Sequence, residues 1–181
     1  FLAAGALLVL LFGVLSYMKD TVKAEEEIEK KLDARSLGKI IYESKYKSLR
    51  DLLKRQKNAL LVNQPLAGFG FVESYRKFVS RAEYRMEKHE SKVVIVTSVS
   101  ENEGKSTVAA NLAISLAERD KKVILIDGDL RRPSQFLILG LKPDEKSELG
   151  EFLKGQGQMQ NLMRRTDVKG VFFMGGRNCY S

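Results

Sequence analysis

The period of the apolar positions changes along this chain, and each change marks an element. Residues 1–18 carry no charge and are rich in Leu, Ala, Gly and Val. That length suits a bilayer core, which takes about 17–25 residues of helix. A transmembrane helix is therefore expected over 1–18. Neither a basic leader nor a small-residue cleavage site accompanies it, so a signal peptide is the weaker reading. The chain starts at Phe1 rather than Met, and residues before it are expected. Residues 24–33 are charged, with Glu25, Glu26, Glu27 and Glu29 ahead of Lys30 and Lys31. Acids before bases suit a helix dipole, so a solvated helix is expected there. Residues 37–42 suggest a short strand. After them Tyr46, Leu49, Leu52, Leu53 and Leu60 fall at helical spacing among Lys45, Lys47, Arg50, Lys54, Arg55 and Lys57. Two readings of this basic amphipathic stretch stand side by side: a helix lying on anionic headgroups, or one whose Leu stripe packs on a protein core.

Turn formers crowd residues 63–70, which makes a domain boundary. Residues 71–90 read as a helix. At Val93 the pattern switches to a β-branched run, Val-Val-Ile-Val, followed by a polar loop and then by an apolar helical stripe at Ala109, Leu112, Ala113, Leu116 and Ala117. A second run, Val123-Ile-Leu-Ile126, ends in Asp127-Gly-Asp129. A short helix is expected over 136–141, a further helix over 147–154 and a strand over 168–174. Three organisational segments result: a membrane helix (1–18), a juxtamembrane linker (19–63) and an α/β domain (64–181).

The chemistry lies where the apolar runs end. After the first, Ser98-Val-Ser-Glu-Asn-Glu-Gly-Lys-Ser106 leads from strand to helix, so backbone N–H groups can cradle phosphates at a helix N-terminus. Ser100, Glu101, Asn102, Glu103, Gly104, Lys105, Ser106 and Thr107 are the candidate nucleotide-binding residues. Gly104 lets the backbone approach a phosphate, Lys105 supplies charge to the β and γ phosphates, and the Ser106 hydroxyl suits Mg²⁺. The first Gly of the strict phosphate-loop pattern is Val99 here. Asp127 and Asp129 stand where a hard cation and a proton acceptor are wanted; an ordinary strand-to-turn exit is the plain alternative.

Thr97-Ser98 through Glu103-Gly-Lys-Ser-Thr107, Asn111-Leu-Ala113 and Ile126-Asp-Gly-Asp-Leu-Arg-Arg-Pro133 resemble the bacterial tyrosine kinases of capsular and exopolysaccharide chain-length regulators. That resemblance implies a P-loop NTPase-like α/β fold, a parallel sheet flanked by helices, with a Walker A loop at 98–106 and a Walker A′ motif at 127–132. It further implies ATP and Mg²⁺ as cofactors, Lys105, Asp127 and Asp129 as catalytic residues, and Ser106 and Asp127 as metal ligands. The implied activity is protein-tyrosine autokinase, with the protein itself, other tyrosine substrates and the polysaccharide polymerisation and export machinery as partners. A homo-oligomer in the bacterial plasma membrane is implied, its C-terminal domain cytoplasmic. The family's Walker B aspartate and tyrosine-rich tail do not occur within 1–181, so this span alone is expected to be inactive.

Chromosome-partitioning ATPases share much of this spacing but carry a second lysine early in the loop, where Ser100 stands. A partitioning-type ATPase, or a chain-length regulator that binds nucleotide without kinase activity, are the alternatives. Glu101 and Asn102 replace the family's usual Pro-Gly; Asn accepts a left-handed backbone, while Glu101 brings negative charge near the phosphates. Arg131 and Arg132 fit a phosphate contact, a subunit contact or a plain surface. Glu73-Ser-Tyr-Arg76 resembles half of the family's oligomerisation motif, with Val79 at the second arginine position.

Whole-chain numbers change little. Thirty-one Lys and Arg against 23 Asp and Glu give a net charge of +8 over 181 residues. The excess lies beside residues 1–18, which favours anionic lipid over nucleic acid as partner. Cys179 is the only cysteine and excludes an internal disulfide or zinc cluster. His89, the single histidine, sits in a charged connector and is expected to be solvated.

Overall fold

A computed structural model describes Gly5, Leu10 and residues 34–43, 60–65, 67–142, 149–155 and 158–175. Two compact units divide the chain, Phe1–Gly38 and Lys39–Ser181. In the first, residues 34–38 have no regular structure, and Gly38 N donates to Ser36 Oγ at 3.1 Å. Apart from Gly5 and Leu10, the expected membrane helix lies outside the described residues, as do the charged helix over 24–33 and the basic amphipathic stretch up to Leu60. Among the described residues no helix is long and apolar enough to cross a membrane.

The second unit is an α/β layer. Helix α1 (Phe69–Lys88) is followed by α2 (Lys105–Ala117), β1 (Val123–Ile126), α3 (Gln135–Ile138), α4 (Leu149–Leu153), a single 3₁₀ turn, β2 (Arg164–Arg165) and β3 (Val171–Met174). The described strands run in the order β1-β3-β2. β3 lies parallel to β1, with Val123 opposite Val171 and Ile126 opposite Met174, whereas β2 joins β3 antiparallel. The expected all-parallel sheet thus acquires a short antiparallel edge. Two Arg–Phe pairs make that edge, Arg164 with Phe173 and Arg165 with Phe172.

Helix α2 is the centre of the unit, contacting α1, α3, β1 and β3. All eight residues from Ala110 to Ala117 are buried. The apolar stripe in the sequence marked only one face, because the small residues Ala110 and Ser115 let neighbours close on the others. On α1, Phe71, Tyr75 and Val79 turn inward, and the Phe71 and Tyr75 rings meet edge to face at 5.0 Å.

Two expected strands do not form. Residues 37–42 are irregular; Ile41 N donates to the Ser74 hydroxyl at 3.2 Å, a side-chain partner in place of a ladder. The run beginning at Val93 is also outside the sheet. Val93, Ile95 and Val99 are 74%, 86% and 98% exposed. A strand needs a neighbour for its N–H and C=O groups, and among the described residues none lies beside this one. A cleft of about 1080 Å³ separates residues 93–96 from β1, with Ala109, Leu112 and Leu116 of α2 on its floor. The expected helix over 147–154 is described only from Leu149, as α4.

Candidate nucleotide site

The loop between residue 98 and α2 is braced from within. Glu103 Oε2 accepts from Val99 N and Ser100 N, both at 3.1 Å, and Ser98 Oγ donates to the Ser100 carbonyl at 2.8 Å. Glu103 therefore spends its carboxylate on the start of the loop. Asn102 takes φ +64°, the left-handed turn that its side chain tolerates. Gly104 has φ +90°, and a Cβ there would meet nothing within 4 Å. Backbone conformation rather than space requires this glycine here. The first helical bond runs from Val108 N to Gly104 O at 2.9 Å. The N–H groups just before it form the open, positive end of a 13-residue helix, the usual seat of a phosphate.

Lys105 and Asp129 face each other, Nζ to Oδ2 at 3.8 Å, with both side chains near two-fifths exposed. Asp129 Oδ1 accepts from Arg132 N at 3.0 Å, which folds the Asp-Leu-Arg-Arg turn over it. Arg132 Nη1 in turn donates to Glu101 Oε2 at 3.2 Å across the mouth of the phosphate loop. Two ion pairs, Lys105–Asp129 and Arg132–Glu101, joined by the Arg132 backbone N–H on Asp129, thus link the two motifs.

Asp127 plays a different part from Asp129. It is 5% exposed, at the end of β1, where its N–H continues the ladder to Met174 O at 2.8 Å. Oδ1 accepts from Asp129 N at 3.1 Å, and Oδ2 accepts from Ser134 N and Gln135 N, each at 2.9 Å. A carboxylate oxygen has two lone pairs. Oδ2 is filled, and Oδ1 keeps one pair for a cation or its water. Behind Asp127 a Cβ on Gly175 would lie 3.0 Å from the Asp127 Cβ.

Ser134 and Gln135 escaped the motif reading, although Ser after Pro133 is a helix-start signal. Ser134 Oγ donates to Ser106 Oγ at 2.9 Å, and Gln135 Nε2 donates to Ser106 O at 3.0 Å. Gln135 is buried, and its Oε1 has no partner. Ser106 is therefore gripped through its hydroxyl and its carbonyl. No cluster of three or more His, Cys, Asp or Glu occurs among the described residues. Mg²⁺ does not need one, because it keeps several waters and takes one or two protein oxygens with substrate phosphates. Ser106 Oγ and the free pair of Asp127 Oδ1 suit such a water-clad ion.

Further polar and charged residues lie outside the two motifs. Asn111, fully buried, accepts from Val62 N at 2.8 Å and donates to Leu60 O at 2.9 Å. Burial raises the Tyr75 hydroxyl above its ordinary pKa, only partly offset by its hydrogen bond to Asn111. Glu83 on α1 is held below the usual carboxylate range chiefly by its hydrogen bond from Arg119, with Lys121 adding to it. Arg119 and Lys121 reach it at 2.7 and 3.2 Å. His89 caps α1 through its backbone N–H and is exposed.

Residues 94–173 match the family described as CobQ/CobB/MinD/ParA nucleotide binding domain. The tyrosine-protein kinase Ptk of Acinetobacter johnsonii is 28% identical over 167 residues, 92% of this chain and 22% of that protein. The tyrosine-protein kinase YwqD of Bacillus subtilis (strain 168) is 40% identical over 81 residues, 45% of this chain and 33% of that protein. The succinoglycan biosynthesis transport protein ExoP of Rhizobium meliloti (strain 1021) is 35% identical over 86 residues, 48% of this chain and 11% of that protein. Among solved structures, the BceF tyrosine kinase domain superposes with a TM-score of 0.73 at 24% identity, covering 88% of this chain and 64% of that one. The fold is shared, and the chain spans a third or less of each of these curated relatives.

Proposed function

We propose, from the premise that this chain carries a CobQ/CobB/MinD/ParA-type nucleotide-binding domain homologous to those of bacterial tyrosine-protein kinases, that it belongs to an ATP-dependent protein-tyrosine autokinase regulating capsular or exopolysaccharide synthesis. One observation carries the reading: the phosphate loop meets the segment from Asp127 to Ser134, at Lys105–Asp129 and at Ser106–Ser134.

On ATP binding, the amides at the α2 N-terminus and the Lys105 ammonium take the phosphate charge. Lys105 leaves Asp129 for the phosphates, and the Asp129 carboxylate is freed to accept a proton from a tyrosine hydroxyl or to bind a metal water. Mg²⁺, when bound, would neutralise phosphate charge; Ser106 and Asp127 are the residues that would hold it. The hydrophobic run over 1–18 supports a membrane anchor with this domain on the cytoplasmic side, where ATP is. ExoP, by its name, supports a link to polysaccharide export machinery; a homo-oligomer and tyrosine substrates, itself included, complete the proposal.

The test is phosphotyrosine formation from labelled ATP with Mg²⁺, in the protein that carries this chain at its natural extent. Loss of label in both Lys105→Met and Asp127→Asn is expected. Label that survives either substitution removes the proposed site; nucleotide binding without any label leaves the chain-length regulator lacking kinase activity.

A further inference from the structure

We infer that Ser134 is a positioning residue for the metal-bound nucleotide, its hydroxyl fixing the direction in which the Ser106 oxygen is offered to the cation. The inference rests on the nucleotide reading above and gives a task to a side chain outside both motifs.

Three observations carry it. Ser134 stands just before α3, where a serine ordinarily turns its hydroxyl onto an N–H of the first helical turn, yet it makes no such bond. The hydroxyl is spent on Ser106 Oγ instead, at 2.9 Å and twenty-eight residues earlier in the chain. Another group serves the start of the helix: Asp127 Oδ2 accepts from Ser134 N and Gln135 N, each at 2.9 Å. One residue thereby touches both side chains that would hold the cation, Ser106 through its hydroxyl and Asp127 through its amide.

The hydroxyl of a serine carries one proton and two lone pairs, and it rotates unless a partner fixes it. On Ser106 Oγ the contact with Ser134 takes one of these three positions, while Gln135 Nε2 holds the carbonyl of the same residue. The other two positions then keep set directions. Either hydroxyl of such a pair can donate. In the structure Ser134 donates to Ser106; with a cation on the Ser106 oxygen, the Ser106 O–H becomes the better donor and Ser134 Oγ can accept it. The pair is therefore serviceable in both states. A threonine at 134 keeps that hydroxyl, and an alanine does not. Outer contacts that orient a metal ligand change metal affinity about 10–100-fold.

The test separates an effect on the cation from an effect on the loop. ATP affinity is measured by titration calorimetry on the natural-length protein, in Mg²⁺ and again in excess EDTA, for Ser134→Ala and Ser134→Thr. Expected are a roughly tenfold loss of MgATP affinity in Ser134→Ala with metal-free ATP affinity unchanged, and most of the loss recovered in Ser134→Thr. Equal weakening with and without metal in Ser134→Ala, no change in either, or a threonine variant no better than the alanine one overturns the inference and leaves Ser134 a structural support of the loop. Wild-type protein that binds no ATP in either condition overturns the site reading itself, a result distinct from wild-type binding that Ser134→Ala leaves untouched.

Discussion

The amide of Asn111 closes on the backbone of Val62 at 2.8 Å, forty-nine residues earlier in the chain. It also holds Leu60 O and Tyr75. One buried side chain on α2 therefore fastens the segment that leads into α1. Asn111→Ala leaves these groups unpaired in a dry place. A loss of about 2–4 kcal/mol is expected from one abandoned donor and one abandoned acceptor, read as a lower urea midpoint at unchanged slope.

Gly175 lies where β3 passes behind Asp127. A Cβ there would sit 2.5 Å from Phe173 Cζ and 3.0 Å from Asp127 Cβ. Gly175→Ala must displace the Phe173 ring or the carboxylate. It is expected to cost about 1–3 kcal/mol by overpacking, and to weaken MgATP binding in calorimetry more than Ala at the exposed Gly128, where nothing lies within 4 Å.

The Glu83 carboxylate has a lowered pKa in the folded protein because Arg119, and then Lys121, favour its charge. In the unfolded chain it binds its proton more readily. Its contribution is complete above the ordinary carboxylate range and disappears as pH falls through the lowered folded value. Glu83→Gln should thus be less stable than wild type near neutrality, by about 1 kcal/mol. The gap should shrink towards zero on acidification, in thermal melts taken from pH 7 downwards.

Glu101 and Arg132 are both about four-fifths exposed, so their ion pair is worth little to the fold. Near a triphosphate the acid matters more. Glu101→Gln is expected to change the melting temperature hardly at all while tightening ATP binding about two- to fivefold, since one repelling charge is removed and Arg132 is released. Because the mouth is solvated, the gain should fade between 50 mM and 500 mM salt.

Much of the site was legible because its chemistry is local. Strand, loop and helix follow one another within residues 93–117, and Asp127 and Asp129 terminate the next apolar run; periodicity and the loop residues sufficed to place Lys105, Ser106 and both carboxylates together. Ser134 and Gln135 were not legible. They reach Ser106 across twenty-eight and twenty-nine residues, and nothing in their own neighbourhood foretells that contact. The strand expected at Val93 failed for the opposite reason: β-branched residues declare a preference, but a ladder also needs a neighbour. β2 went unread because two arginines carry no apolar signal, and the edge beside β3 decides their conformation. Glu103 was read as a nucleotide contact; the part its carboxylate plays in bracing Val99 and Ser100 was not legible.

The unladdered stretch before the phosphate loop has a consequence for affinity. The loop is anchored at one end by α2 and at the other by residues whose amides pair with no strand among those described. Wherever such a loop samples more than one shape, the observed dissociation constant is the intrinsic one divided by the fraction of molecules holding the binding-competent shape. Anything that pairs with residues 93–97 raises this fraction. Nucleotide affinity would improve without a single new contact to the phosphates.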